Sequence, residues 1–155
     1  MKYILLLLAL IPLGCKNYYL RGYYSKEEFI QQCRWKKPVA EKYKPEQAYI
    51  DSLKTVKDSV DLKLFLGTWC SDSRKWVARF WKIQPQLPIR KIEVISVDTT
   101  KNDERGQMKI WKVDSLPTFI FLRNDKEIGR LVEKPYKKKL ERHLWRILKP
   151  QAVKR

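Results

Sequence analysis

Leu62-Lys63-Leu64-Phe65-Leu66-Gly67-Thr68-Trp69-Cys70-Ser71-Asp72-Ser73 joins a short apolar run to a helical pattern, and the join carries a cysteine. The run over residues 62–66, bounded by Gly67, is consistent with a buried strand. From Ser71 to about Gln84 the spacing turns helical. Ser73, Val77, Phe80 and Gln84 fall on one stripe and Trp76, Phe80 and Ile83 on its neighbour, until Pro85 and Pro88 stop the pattern. Cys70 therefore stands where a strand hands over to a helix. Unpaired backbone N–H groups and the positive end of the helix dipole favour a thiolate at such a point, and the thiolate is the reactive form. Asp72 opposes that charge, whereas Arg74 and Lys75 favour it.

Downstream, residues 92–97 are β-rich and residues 103–111 predict a short helix. Residues 118–122 and 127–132 read as two strands joined at the Asn124-Asp125 turn, a hairpin. Pro135 opens a last helix with Leu140, Leu144, Ile147 and Leu148 on one side. His143, the only histidine, is expected on its surface. Upstream, Pro45 opens a helix that lines up Ile50, Leu53, Val56 and Val60. Ser25-Lys26-Glu27-Glu28 is a capping box, predicting a helix to about Trp35 that ends before Pro38. Residues 16–24 are polar and aromatic without either period, a tether or a segment laid across the domain. From Pro45 onward the order is α-β-α-β-α-β-β-α.

Trp69-Cys70-Ser71-Asp72-Ser73, placed at that strand–helix junction, resembles the Trp-Cys-x-x-Cys redox site of thioredoxins. A second segment, Ser115-Leu116-Pro117-Thr118-Phe119, resembles the family's x-Pro-Thr at the start of the hairpin, and Pro117 follows Cys70 by 47 positions, near the family's separation. The resemblance to the thioredoxin-like superfamily covers residues 45–148. It implies an α/β thioredoxin fold: a central mixed sheet of four or more strands flanked by helices, here with an N-terminal helical extension. It also implies that Pro117 is cis and packs against Cys70, and that the backbone of Leu116 pairs with an extended substrate like an added strand. Cys70, Ser73, Trp69 and Pro117 are then the catalytic candidates, and Leu116, Thr118 and Asp72 the substrate-binding ones.

The departures bear on chemistry. Ser73 takes the place of the resolving cysteine, and Leu64 takes the place of the buried acid that helps deprotonate it. The two losses agree with each other. A site with one sulfur forms a mixed disulfide but has no local thiol to resolve it. The resemblance then implies monothiol exchange, of the isomerase or deglutathionylation type rather than net dithiol reduction; the alternative is a binding module in which Cys70 is inert. Ser73 either hydrogen-bonds the Cys70 thiolate or serves as a helix cap. Cys33, in the first helix, is either a free thiol or a distant resolving partner for Cys70. No metal site and no cofactor are expected.

Location is written at the start of the chain. Met1-Lys2 is a short basic beginning, and the apolar run that follows ends in Pro12-Leu13-Gly14-Cys15, the layout of a secretory signal peptide. Gly14-Cys15 also resembles the lipobox of bacterial lipoproteins, with Pro12 where that motif usually has Leu, which implies lipidation of Cys15. The expected organisation is a signal peptide (1–14), a tether and N-terminal extension (15–44), the thioredoxin-like domain (45–148) and a basic tail (149–155). The expected location is the cell envelope, exported and tied to a membrane on the periplasmic side. There are 34 Lys and Arg against 17 Asp and Glu, a net charge of +17. An exported chain whose lysines are scattered over every segment is not read as a nucleic-acid binder. The expected partners are protein or small-molecule thiols and disulfides, and a membrane met through the lipid and the basic surface.

Overall fold

Residues 64–66 and 118–122 are buried without alternation, so the sheet has two apolar faces, and helices cover the larger one. The computed structural model describes residues 19–33, 35, 38–133 and 139–150. Five strands form one mixed sheet in the order β1-β3-β2-β4-β5: β1 (Gly22–Ser25), β2 (Val60–Leu66), β3 (Ile89–Ser96), β4 (Thr118–Arg123) and β5 (Lys126–Val132). β2 and β3 run parallel, and every other neighbouring pair is antiparallel. Leu62, Leu64, Leu66, Val94, Phe119 and Phe121 point to one face. There they meet α1 (Lys26–Gln32), α3 (Gln47–Lys54), α4 (Ser71–Ile83) and α6 (Leu140–Leu148) through Phe29, Ile50, Leu53, Val77, Phe80, Leu144 and Leu148. Phe65, Ile95, Val97, Ile120 and Leu122 point to the other face, closed by Met108, Val113 and Leu116 from the long β3–β4 connection. This is the thioredoxin fold expected from the sequence, with five strands.

The capping box is present in full. Ser25 Oγ accepts from the Glu28 N–H at 3.2 Å and the Glu28 carboxylate accepts from the Ser25 N–H at 2.7 Å. The helix is shorter than expected: it closes at Gln32, with Cys33 already extended at its C-cap. A further short helix, α2 (Pro38–Glu41), follows. The expected helix over 103–111 contracts to α5 (Gln107–Ile110). Asp103 is the reason. Its buried carboxylate accepts from the N–H groups of Arg105, Gln107 and Met108, and Gly106 sits at φ +65° directly before α5. β1 was not legible as a strand, because four residues are too few to show alternation. The start of the last helix near Pro135, the signal peptide, Cys15, Tyr18 and the end of the basic tail lie outside the described residues. Among the described residues no helix is long and apolar enough to cross a membrane.

Candidate active site

β2 ends at Leu66, and the chain turns through Gly67 so that the Cys70 N–H reaches the Gly67 carbonyl at 3.0 Å. The turn places Cys70 as the N-cap of α4 in extended backbone, the geometry normally taken by Ser, Thr, Asp or Asn. Its sulfur does their work: Cys70 Sγ accepts from the Ser73 N–H at 3.4 Å. From the opposite side the thiol faces the Leu116 carbonyl at 3.8 Å. The Leu116–Pro117 peptide is cis, as expected. So the two segments singled out in the sequence meet at one sulfur.

Ser73 is fully buried. Its backbone reaches Cys70, while its hydroxyl accepts from the Gly67 N–H at 3.3 Å. The helix cap is Cys70 itself, so of the two roles weighed for Ser73 the cap belongs to its neighbour. Leu64 is likewise fully buried, between Val94 on β3 and Phe119 on β4. Trp69 is half-buried; its indole N–H donates to the Val97 carbonyl at 3.0 Å and its ring lies over Gly67. A Cβ at Gly67 would stand 2.7 Å from that ring, so glycine is required by the tryptophan's position. Asp72 is half-buried in the first turn of α4.

On the cis-proline side, Leu116 is buried and Pro117 offers its carbonyl to the Glu133 N–H at 2.7 Å. Thr118 is buried, and its hydroxyl donates to the Ser115 carbonyl at 2.7 Å, which braces the loop from within. Thr118 therefore holds the backbone around the cis proline in shape. Cys33 lies elsewhere, in an apolar groove with Phe29, Ile30, Trp35, Ala78 and Trp81. It is a free thiol, as is Cys70. Burial pushes the Cys33 thiol up to about 11, against the opposing pull of the Trp35 N–H and the Arg74 guanidinium. Among the described residues no three His, Cys, Asp or Glu side chains gather in a metal-holding group.

The family model for thioredoxin matches residues 33–146 of the chain. The chain belongs to the thioredoxin family. The matched span begins at Cys33, ahead of Pro45. A structure of a Pseudomonas aeruginosa protein of unknown function is similar at 20% identity and a TM-score of 0.50, over 64% of this chain and 60% of that one. An HIV epitope-scaffold is similar at 19% identity and a TM-score of 0.50, over 72% and 69%. The thioredoxin NaTrxh of Nicotiana alata gives 21% identity and a TM-score of 0.41, over 66% and 84%. The chain thus spans 60% of the length of the Pseudomonas protein. A comparison with curated proteins gave no match.

Set against the thioredoxin family, two residues at the site escaped sequence reasoning. Thr68, two positions before the cysteine, is buried and gripped by the N-terminal segment. Its Oγ1 accepts from the Leu20 N–H at 3.0 Å, and its carbonyl accepts from the Trp35 indole at 3.3 Å. Ser96, at the end of β3, donates to the Leu20 carbonyl at 2.7 Å. Away from the site, the buried Glu141 accepts from the Tyr43 hydroxyl and, at 2.6 Å, from the Glu46 N–H. Burial and that carboxylate raise the Tyr43 hydroxyl well above the usual phenol range.

Proposed function

We propose that this thioredoxin-family chain carries out thiol–disulfide exchange through Cys70 alone, exported and lipid-anchored at Cys15 in the cell envelope. The observation that carries the chemistry is the seat of one sulfur. Cys70 Sγ is held by the Ser73 N–H on the helix side and faces the Leu116 carbonyl before the cis proline on the other. In thiolate form it attacks one sulfur of a substrate disulfide. A Cys70–substrate S–S bond forms, the old S–S bond breaks, and the second substrate sulfur leaves as a thiolate. The Leu116-Pro117 backbone supports the bound strand. With an oxygen at Ser73 and a methyl-terminated side chain at Leu64, release must come from another thiol. Either the substrate's own second cysteine attacks, which rearranges disulfides without net oxidation, or a low-molecular-weight thiol does, and that thiol becomes part of the new disulfide.

The test is turnover of a scrambled-disulfide protein by the mature chain in a thiol buffer, with the Cys70 mixed disulfide identified by mass. The expected result is exchange that needs added thiol, with little insulin-type reductase activity. Strong dithiol turnover that disappears in Cys33→Ala would replace this reading by a Cys33–Cys70 couple. No exchange under any thiol condition, with Cys70 unmodified at pH 8, would make the domain a binding module.

A further inference from the structure

The first described residues lie at the same pole as Cys70. β2 and β3 are parallel, so their C-terminal ends lie together, and Cys70 follows one while Ser96 ends the other. Leu20 is clasped between them: its N–H donates to Thr68 Oγ1 and its carbonyl accepts from Ser96 Oγ. The next residues seal the clasp. Gly22 pairs with Ser96 in the β1–β3 ladder, Arg21 stands 3.7 Å from the Asp98 carboxylate, and Trp35 returns to bond the Thr68 carbonyl. Leu20 is thus part of the fold, and Thr68 stands two residues from Cys70, at most about 7.6 Å between their Cα atoms.

Cys15 precedes Leu20 by five residues. However those residues run, they span no more than about 18 Å, roughly half the diameter of about 35 Å expected of a domain this size. The basic residues do not select an orientation, since they lie on every element but β1 and α2. The point of chain entry does.

Resting on the reading of Cys15 as lipidated and Cys70 as the exchanging thiol, we infer that the short tether turns the Cys70 pole toward the bilayer. The favoured substrates are disulfides in membrane-proximal segments of envelope proteins, within about 30 Å of the headgroups. Confinement of both partners to one thin layer raises their effective concentration, and it does so only for sulfurs the tether lets Cys70 reach. In the exchange, the Cys70–substrate bond replaces the substrate's own S–S bond and the displaced sulfur leaves as a thiolate, so no outside oxidant or reductant enters the step.

The experiment uses the acylated mature chain in phosphatidylcholine vesicles, which removes attraction to anionic lipid. A disulfide-bearing peptide is attached to the headgroup either directly or through a rigid helical spacer of about 40 residues, near 60 Å long. The expected result is exchange about tenfold or more faster with the near disulfide, and collapse of that preference when about 30 Gly/Ser residues are inserted between Asn17 and Tyr18. Equal rates for the two peptides, or a preference that survives the insertion, overturns the orientation. Two controls separate this from failure of the underlying reading. Intact mass reports whether Cys15 carries an acyl group, and a soluble disulfide peptide with the Cys15→Ser chain reports whether Cys70 exchanges at all. A negative in either removes the premise, and the orientation with it.

Discussion

Cys70 and Cys33 are the two described thiols, both partly buried, and their surroundings differ in kind. Cys70 caps a 13-residue helix, with a backbone N–H aimed at its sulfur and the Leu116 carbonyl opposite. Cys33 follows a seven-residue helix at its C-terminal end, among Phe29, Trp35 and Trp81. A helix start offers unpaired donors to an anion, and a helix end offers unpaired carbonyls. The difference teaches that a thiol's setting in this fold follows from which end of a helix it meets and what faces it, more than from how far it is covered.

The contrast breaks most decisively at Cys70. Cys70→Ala should abolish exchange and mixed-disulfide formation, while Cys33→Ala leaves both unchanged; equal loss in the two variants would erase the distinction drawn here. Next in size is reactivity. With its thiol held at about 11, Cys33 should be alkylated by iodoacetamide at pH 8 about a hundredfold more slowly than a free peptide thiol. Its alkylation midpoint should lie near pH 11. The linkage has a definite sign. Between the ordinary thiol value of about 8.5 and the folded value, the folded chain keeps a proton that the unfolded chain gives up. Stability from this group is therefore intact below about pH 8.5 and falls as pH rises through that window. Cys33→Ser should flatten the fall in denaturant midpoints measured from about pH 8 to 11.

Adding a second sulfur beside the first sharpens the comparison from the other side. Ser73→Cys would place a thiol in the buried seat next to Gly67 and Cys70, and insulin-type reductase turnover should rise on the order of tenfold. A variant that folds, closes a disulfide between Cys70 and the introduced sulfur, and gains no turnover would show that the lost acid at Leu64, and not the lost sulfur, limits the site. Smaller effects probe the frame around Cys70. Gly67→Ala forces the Trp69 ring to move and breaks its bond to Val97, at about 1–3 kcal/mol, visible as changed tryptophan fluorescence together with a lowered urea midpoint. Trp35→Phe removes the indole bond to Thr68 and shrinks the ring packed edge-on against Phe29, and should cost about 1–2 kcal/mol by the same unfolding measurement.

Much of the fold was legible because its signals are local. The capping box, the helical stripe of Val77 and Phe80, the Asn124-Asp125 turn and the apolar first strand of the hairpin each sit within one short window. Asn124 and Asp125 adopt positive φ of 50° and 60°, as a tight turn of those residues requires. The candidate site was half legible. Its two segments carry family spacing, and the structure brings them together at the Cys70 sulfur.

By itself, the sequence determined that helices start at the Ser25 capping box and at Ser71, that Val77 and Phe80 face the core, and that one thiol stands at a helix N-terminus. Those properties depend on backbone periodicity and on side chains a few positions apart. Tertiary structure alone decided that Gly22–Ser25 is a strand, that Ser73 turns its hydroxyl to Gly67, and that Glu141 is buried on Tyr43. It also decided that Thr68 is gripped by residues 48 and 33 positions away. A hydrogen bond across such separations leaves no periodic mark in either segment. It exists only because the sheet brings the ends of β2 and β3 to one pole, where Leu20 meets both.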